Sequence, residues 1–202
     1  MNNTVYKRYQ NGDKILEIIP DDMGESPREW DNVGKMACSH RRYRLPNELN
    51  VPFDELGSWG EVEEWIRETY NVVEIYPVYM LDHSGVRLSI GSFHDPWDSG
   101  QIGFIVATRE DLLKAYSKKR MTKKIREDAM VILKEEVNAL DQYMAGDVYG
   151  YKTYTVKWCG ECQHEEEEEV DSCWGFYGTD FDKNGLFEMA GIKDISGWEE
   201  IE

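Results

Sequence analysis

The 202-residue chain lacks the features that would place it in a bilayer, in a disulfide scaffold or on a nucleic-acid backbone. No apolar run approaches the roughly 18 residues needed to cross a membrane as a helix. With only 4 Cys, it is no disulfide scaffold, and a reducing compartment is expected. Met1-Asn2-Asn3-Thr4 has none of the basic-then-apolar layout of a signal peptide, which also points to the cytosol. Basic residues are scarce: 23 Lys and Arg stand against 40 Asp and Glu, a formal net charge of −17. Such a deficit argues against direct contact with phosphates or an anionic membrane. The H-E-x-x-H signature, nucleophile elbow, Walker loop and dinucleotide fingerprint are all missing, so no standard catalytic motif orders the polar residues.

The chain is well supplied with core material: 41% of residues are hydrophobic and 12% aromatic, including 7 Trp. That composition supports a folded core, and the length fits a single domain over residues 1–202. The charge is uneven. From Glu161 to Glu202 there are fourteen acidic residues and two lysines, a net of −12, whereas the first 160 residues carry −5. Basic islands lie at Lys35 with Arg41, Arg42 and Arg44, and between Lys114 and Arg126. The acidic third, read as a hairpin plus a tail, contains the run Glu165, Glu166, Glu167, Glu168 and Glu169. Five like charges in a row usually mark a solvated surface. On a strand they have a second meaning. Alternate side chains lie roughly 6.6 Å apart on one face, comparable to phosphates along a single strand of nucleic acid.

Periodicity points to α+β, an antiparallel sheet with two or three helices packed on one face. Lys14–Pro20 is β-branched and ends at a proline, as a strand does. Residues 21–44 read as a loop with a short helix. Val62, Trp65, Ile66 and Tyr70 stand at helical spacing over 61–70, with Ser58 as cap. Three strands in a meander are expected at 72–81, 86–90 and 102–107. A helix follows over 109–117 with Thr108 as cap, then a longer one after Thr122. In the longer helix Ile125, Ala129, Ile132, Leu133, Val137, Leu140 and Met144 keep the 3–4 spacing up to Gly146. Strands over 148–158 and 166–174, joined through Cys159-Gly160-Glu161-Cys162, form the acidic hairpin, and 186–190 forms one helical turn.

Several groups have the residue types for chemistry. Cys159, Cys162, His164 and Cys173 offer four soft ligands within fifteen residues, a set that suits tetrahedral zinc. Their spacing is unusual for zinc, so no cofactor is the default expectation. Asp180-Phe181-Asp182-Lys183-Asn184-Gly185 matches the first half of a calcium loop, but Gly191 stands where the bidentate glutamate is needed, which favours a polar turn. His83 and His94, with Asp82, Asp95 and Asp98, could line an acid/base or metal site. Loop histidines beside turn aspartates are the simpler reading. Arg28, Trp30, Trp97, Tyr149 and Trp174, with Tyr177, Arg41 and Arg42, have the aromatic and basic character to stack a nucleotide and neutralise its phosphates, with Asp98 beside them as a further ligand-binding candidate. Loop tryptophans folded back over a core are the competing explanation.

The stretches ESPREWDN (Glu25–Asn32), LDHSG (Leu81–Gly85), PWDSGQIGFI (Pro96–Ile105), YMAGDVYGY (Tyr143–Tyr151) and DSCWGFYG (Asp171–Gly178) resemble a group of uncharacterised proteins. These are encoded by bacteriophages and integrated mobile elements, largely of Gram-positive bacteria. The resemblance implies an accessory gene acting in the host bacterial cytosol, and it brings no catalytic residues. Small acidic phage proteins of antirestriction or anti-CRISPR type act by imitating DNA. An inhibitor of a nucleic-acid-targeting defence complex is therefore the leading expectation. Its contact residues would be Glu161, Glu165 to Glu169, Asp171, Asp180 and Asp182, set against the basic nucleic-acid channel of a CRISPR effector or restriction enzyme. A nucleotide-binding protein that sequesters or degrades a signalling nucleotide, and a metal-dependent hydrolase, are the alternatives.

Overall fold

A computed structural model of the chain describes residues 4–160 and 164–201. Its contacts divide the chain into two compact units, where composition had pointed to one domain. One unit joins the two ends, up to Glu25 and from Gly146 onward, and the other is Ser26–Ala145. Each has its own antiparallel sheet and its own buried clusters. The expected α+β class is observed. Among the described residues no helix is long and apolar enough to cross a membrane.

In the terminal unit, strands β1 (Lys7–Asn11), β2 (Lys14–Pro20), β7 (Val148–Cys159), β8 (His164–Tyr177) and β9 (Glu199–Ile201) form a sheet in the order β8-β7-β2-β1-β9. β1 and β2 are a hairpin whose two-residue turn begins at Gly12, at φ +61°. Glycine at the first of the two loop positions, Gly12-Asp13, is a usual signal for such a turn, yet the sequence reading began its first strand at Lys14. On one sheet face Leu16, Ile18, Tyr149 and Tyr151 pack with Phe181, Leu186, Phe187 and Ile192, bringing in the one-turn helix α4 (Leu186–Met189). β8 departs from regular pairing twice. The register slips between Tyr149 and Tyr151 and again between Thr153 and Tyr154. At the first slip Gly175 takes φ +88°, and Trp174 lies so close to Gly150 that an added Cβ would sit 2.2 Å from its ring. Gly175 of the DSCWGFYG stretch and Gly150 of the GDVYGY stretch thus serve a bulge and a close approach.

In the central unit, strands β3 (Lys35–Cys38), β4 (Val72–Asp82), β5 (Val86–Ser89) and β6 (Ser99–Thr108) are ordered β3-β6-β4-β5. The expected meander is therefore absent: β6 lies on the far side of β4 from β5. β3 falls within the segment read as loop. The helices also divide between faces. Val62 and Ile66 of α1 (Trp59–Thr69) pack with Phe104 and Val106. Ile125, Ala129, Leu133, Val137 and Leu140 of α3 (Lys123–Ala145) and Leu112 of α2 (Arg109–Ala115) pack with Ile105 and Ala107. Burial on both faces explains why residues 102–107 are an unbroken apolar run. Ser58, Thr108 and Thr122 accept hydrogen bonds from Glu61, Asp111 and Ile125 backbone N–H groups, which starts the three helices where the sequence placed them.

Two polar staples hold this unit. Arg28, only 9% exposed, lies 2.7 Å from Glu48 and 3.2 Å from Glu136 of α3, and donates to the Gly34 carbonyl at 2.7 Å. Glu136 accepts in return from the backbone N–H groups of Val33 and Gly34. Asp141 of α3, 4% exposed, accepts two hydrogen bonds from the Arg87 guanidinium at about 3 Å and one from the Leu88 N–H at 2.6 Å. Replacing it would leave a buried strand N–H without an acceptor. Asp141→Ala is expected to destabilise the protein by about 2–3 kcal/mol. In a thermal melt this lowers Tm by several degrees. An unchanged Tm would show that the staple contributes nothing.

Candidate functional site

β8 is an edge strand of 14 residues, and positions 164–172 are all exposed. Such an edge offers unpaired backbone groups to any passing strand, and charged side chains are the usual protection. The glutamate run therefore has a local reason to be on this strand. Register decides where each carboxylate goes. Glu165, Glu167 and Glu169 lie opposite Trp158, Val156 and Tyr154, while Glu166 and Glu168 lie opposite Lys157 and Thr155. The extra residue at Val170 then resets the alternation, so Asp171 faces the same side as Tyr151 and accepts its phenolic hydrogen at 2.7 Å.

Much of this negative charge is answered within the unit. Arg8 of β1 lies 3.4 Å from Glu17 of β2 and reaches Glu167 at 2.5 Å. Tyr154 donates to Glu17 at 3.1 Å. Lys152 holds Glu169 at 2.7 Å, and Lys157 pairs with Glu168, holding that carboxyl below its usual range. Sequence reasoning missed Arg8, Glu17, Lys152 and Tyr154. A turn at Gly12-Asp13 would have revealed the first pair, because a two-residue loop there sets Arg8 opposite Glu17.

The nine acidic positions expected to form one surface are thus distributed. Glu161 lies outside the described residues. Glu165–Glu169 occupy the hairpin, and Asp171 is bound to a core tyrosine. Asp180 is paired with Lys183 at 2.6 Å in the turn before α4, with Asp182 two residues on. The calcium-like stretch is a turn. The Asn184 side chain donates to the carbonyls of Tyr177 and Gly178 and accepts from the Leu186 N–H, so it braces the chain.

The zinc set does not assemble. Cys159 lies opposite His164, but Cys173 lies opposite Tyr151, eight residues further along β7. At the rise of a strand that is roughly 26 Å. Cys162 is outside the described residues, and among those described no group of three His, Cys, Asp or Glu is placed to hold a metal.

The aromatic and basic set is also divided. Tyr149, 5% exposed, is part of the core of the terminal unit, and Trp174 covers Gly150 there. Arg28 is committed to Glu48 and Glu136, which removes it as a phosphate ligand. Trp30 follows the short turn Pro27–Glu29 that Arg28 straps to α3. Trp97 differs in being 92% exposed. With Asp98, His40, Arg42, Asp82 and Gln101 it lines an open cleft of about 300 Å³ in the central unit. Acids accompany the bases there: Arg42 lies 2.5 Å from Asp82, and His83 lies 2.6 Å from Asp98, which raises the tendency of His83 to hold its proton. Asp95 accepts from the N–H groups of Trp97 and Asp98 and is a turn residue.

No family model matches the chain, and neither the curated proteins nor the solved structures yield a match.

The tyrosines of the terminal sheet give a pH signature. Burial, reinforced by Asp147, pushes Tyr149 up to about 12, and burial with Glu17 pushes Tyr154 up to about 12. Tyr151 moves further in the same direction, through burial and its bond to Asp171. A phenol that ionises later when folded contributes stability present below its ordinary value of 10.0 and lost as pH rises through the folded value. Tyr149, Tyr151 and Tyr154 should therefore stay protonated past pH 10, and the unit should lose stability between about pH 10 and 12. Phenolate absorbance and circular dichroism during alkaline titration read this directly. Tyr154→Phe should reduce the loss, and a phenolate titration of the folded protein that coincides with that of the urea-unfolded chain would contradict it.

Proposed function

We propose that the chain is a non-catalytic, phage-encoded inhibitor of a bacterial nucleic-acid-targeting defence complex, and that it docks its terminal unit on that complex's basic channel. The observation that carries this reading is where the charge lies. The sequence up to Glu25 and from Gly146 onward holds 20 acidic and 7 basic residues, a net of −13, against −4 for the larger central unit. The charge asymmetry seen along the sequence is thus an asymmetry between folded bodies. Within the acidic unit the surplus concentrates on an exposed edge strand. Arg8, Lys152 and Lys157 pair with three of the five glutamates and keep the strand in register, and the surplus of carboxylates over bases remains at the surface. Attraction between such a body and a channel built for phosphates acts over a Debye length and weakens as salt rises.

The nucleotide reading loses its principal cation with Arg28 buried in a structural staple, and the hydrolase reading has the exposed His83–Asp98 pair to draw on. The test is a five-fold variant, Glu165→Gln through Glu169→Gln, assayed against a panel of CRISPR effectors and restriction enzymes. Binding should weaken by at least about tenfold at low salt, with the difference shrinking at high salt. Circular dichroism and Tm verify that the hairpin is retained. Full inhibition by the folded variant would contradict docking through this strand.

A further inference from the structure

The acidic unit has a second feature on the sheet face opposite Arg8 and Glu17. Strand alternation turns Lys7 and Tyr9 toward the side of Ile18 and Leu16, with which they are in register, and Glu200 of β9 is in register with Tyr9. The chain after β8 returns across this side. The result is an open cleft of about 610 Å³ lined by Tyr6, Tyr9, Phe181, Phe187, Ile195 and Trp198, with Asp180, Asp182 and Glu200 among its polar residues. Its floor is fixed by aromatic packing. Phe181 and Phe187 are buried with ring centroids 5.9 Å apart, Tyr9 meets Phe187 at 6.3 Å, and Tyr6 stands 6.2 Å from Phe181.

The cleft already holds a cation of its own. The Lys7 ammonium sits 5.9 Å over the Tyr9 ring and 3.3 Å from Glu200, and these neighbours favour its charged form. Asp180 is likewise taken, by Lys183. Asp182 has no cation partner among the described residues. Aromatic faces with a carboxylate beside them are the chemistry that recognises a guanidinium, whose flat face stacks while its N–H groups are accepted by oxygen.

We propose that this cleft receives an arginine side chain from a basic, extended segment of the protein partner, with Asp182 as its counter-ion and Tyr6, Tyr9 and Trp198 as its walls. This deepens the reading of the acidic unit as a docking body by naming an anchoring side chain. It uses none of the hairpin glutamates, so the two can fail separately. Arginine is favoured over lysine because a planar, weakly hydrated head gives up less water against aromatic walls. Lys7 then acts as a competitor, occupying one ring of a site that a second cation would enter.

The test is a titration of the full-length ¹⁵N-labelled protein with the peptide acetyl-Gly-Arg-Gly-Arg-Gly-amide, alongside its lysine and citrulline counterparts and tetramethylammonium. The arginine peptide should shift the Trp198 indole resonance saturably, and the neutral citrulline peptide should bind at least about tenfold more weakly. Asp182→Asn should weaken the arginine peptide about tenfold while leaving the rest of the spectrum in place. Lys7→Met should tighten it severalfold, whereas Lys14→Met, the same charge change on the neighbouring strand, should not. The proposal is overturned if Asp182→Asn is without effect, if the two lysine variants behave alike, or if tetramethylammonium binds as well as the arginine peptide. It also fails if shifts appear only on the hairpin. The glutamine variant of Glu165 to Glu169 should leave this titration unchanged even if it abolishes inhibition.

Discussion

The pairing of β8 with β7 is the constraint on which the acidic unit depends. Its register sends alternate glutamates to opposite sides of the sheet edge, and the extra residue at Val170 turns Asp171 inward to Tyr151. The same register brings Cys159 to His164 and keeps Cys173 far along the strand. Near the base of the hairpin it lays Trp174 over a residue that must be glycine. A one-residue slip would exchange every one of these relationships. The Arg8–Glu17–Glu167 contacts and the two lysine pairs hold the register by charge, where an exposed edge strand has little apolar surface to do so.

That arrangement serves two purposes. Carboxylates along an exposed edge discourage pairing with another copy of the chain, and they give the terminal unit a net negative field with a regular spacing. The proposed inhibitory role draws on the second. The central unit, nearly balanced in charge and held by the Arg28–Glu136 and Arg87–Asp141 staples, has the character of a stable body with a small mixed-charge cleft. The aromatic cleft beside Asp182 supplies what a smooth negative surface lacks, a place where one cationic side chain could be held in a defined geometry.

Much of the architecture was legible because it repeats locally. Helix α3 announced itself through Ile125, Ala129, Leu133, Val137 and Leu140, all of which are buried, and three capping hydroxyls marked helix starts. β2 ends at the proline that the sequence offered. What escaped is what depends on distant partners. β3 has only four residues, too few for a pattern, and is a strand because β6 lies beside it. Two sheets in place of one, and a unit made from both chain ends, follow from pairings across well over a hundred residues. Arg28 had the residue type for a phosphate site, yet its surroundings gave it two carboxylates and a carbonyl. The zinc set failed for a similar reason: short spacing in sequence became a long separation along a strand.

Electrostatic imitation makes one demand that other modes of inhibition do not, namely that protein and nucleic acid exclude each other. The direct measurement is competition: a fluorescent guide-target duplex or cognate DNA bound to the defence complex, titrated with the full-length protein at several salt concentrations. The account predicts that the nucleic acid is displaced and that the displacing affinity falls steeply as salt rises. A stable ternary complex, with the nucleic acid still bound and the protein's affinity indifferent to salt, would contradict it.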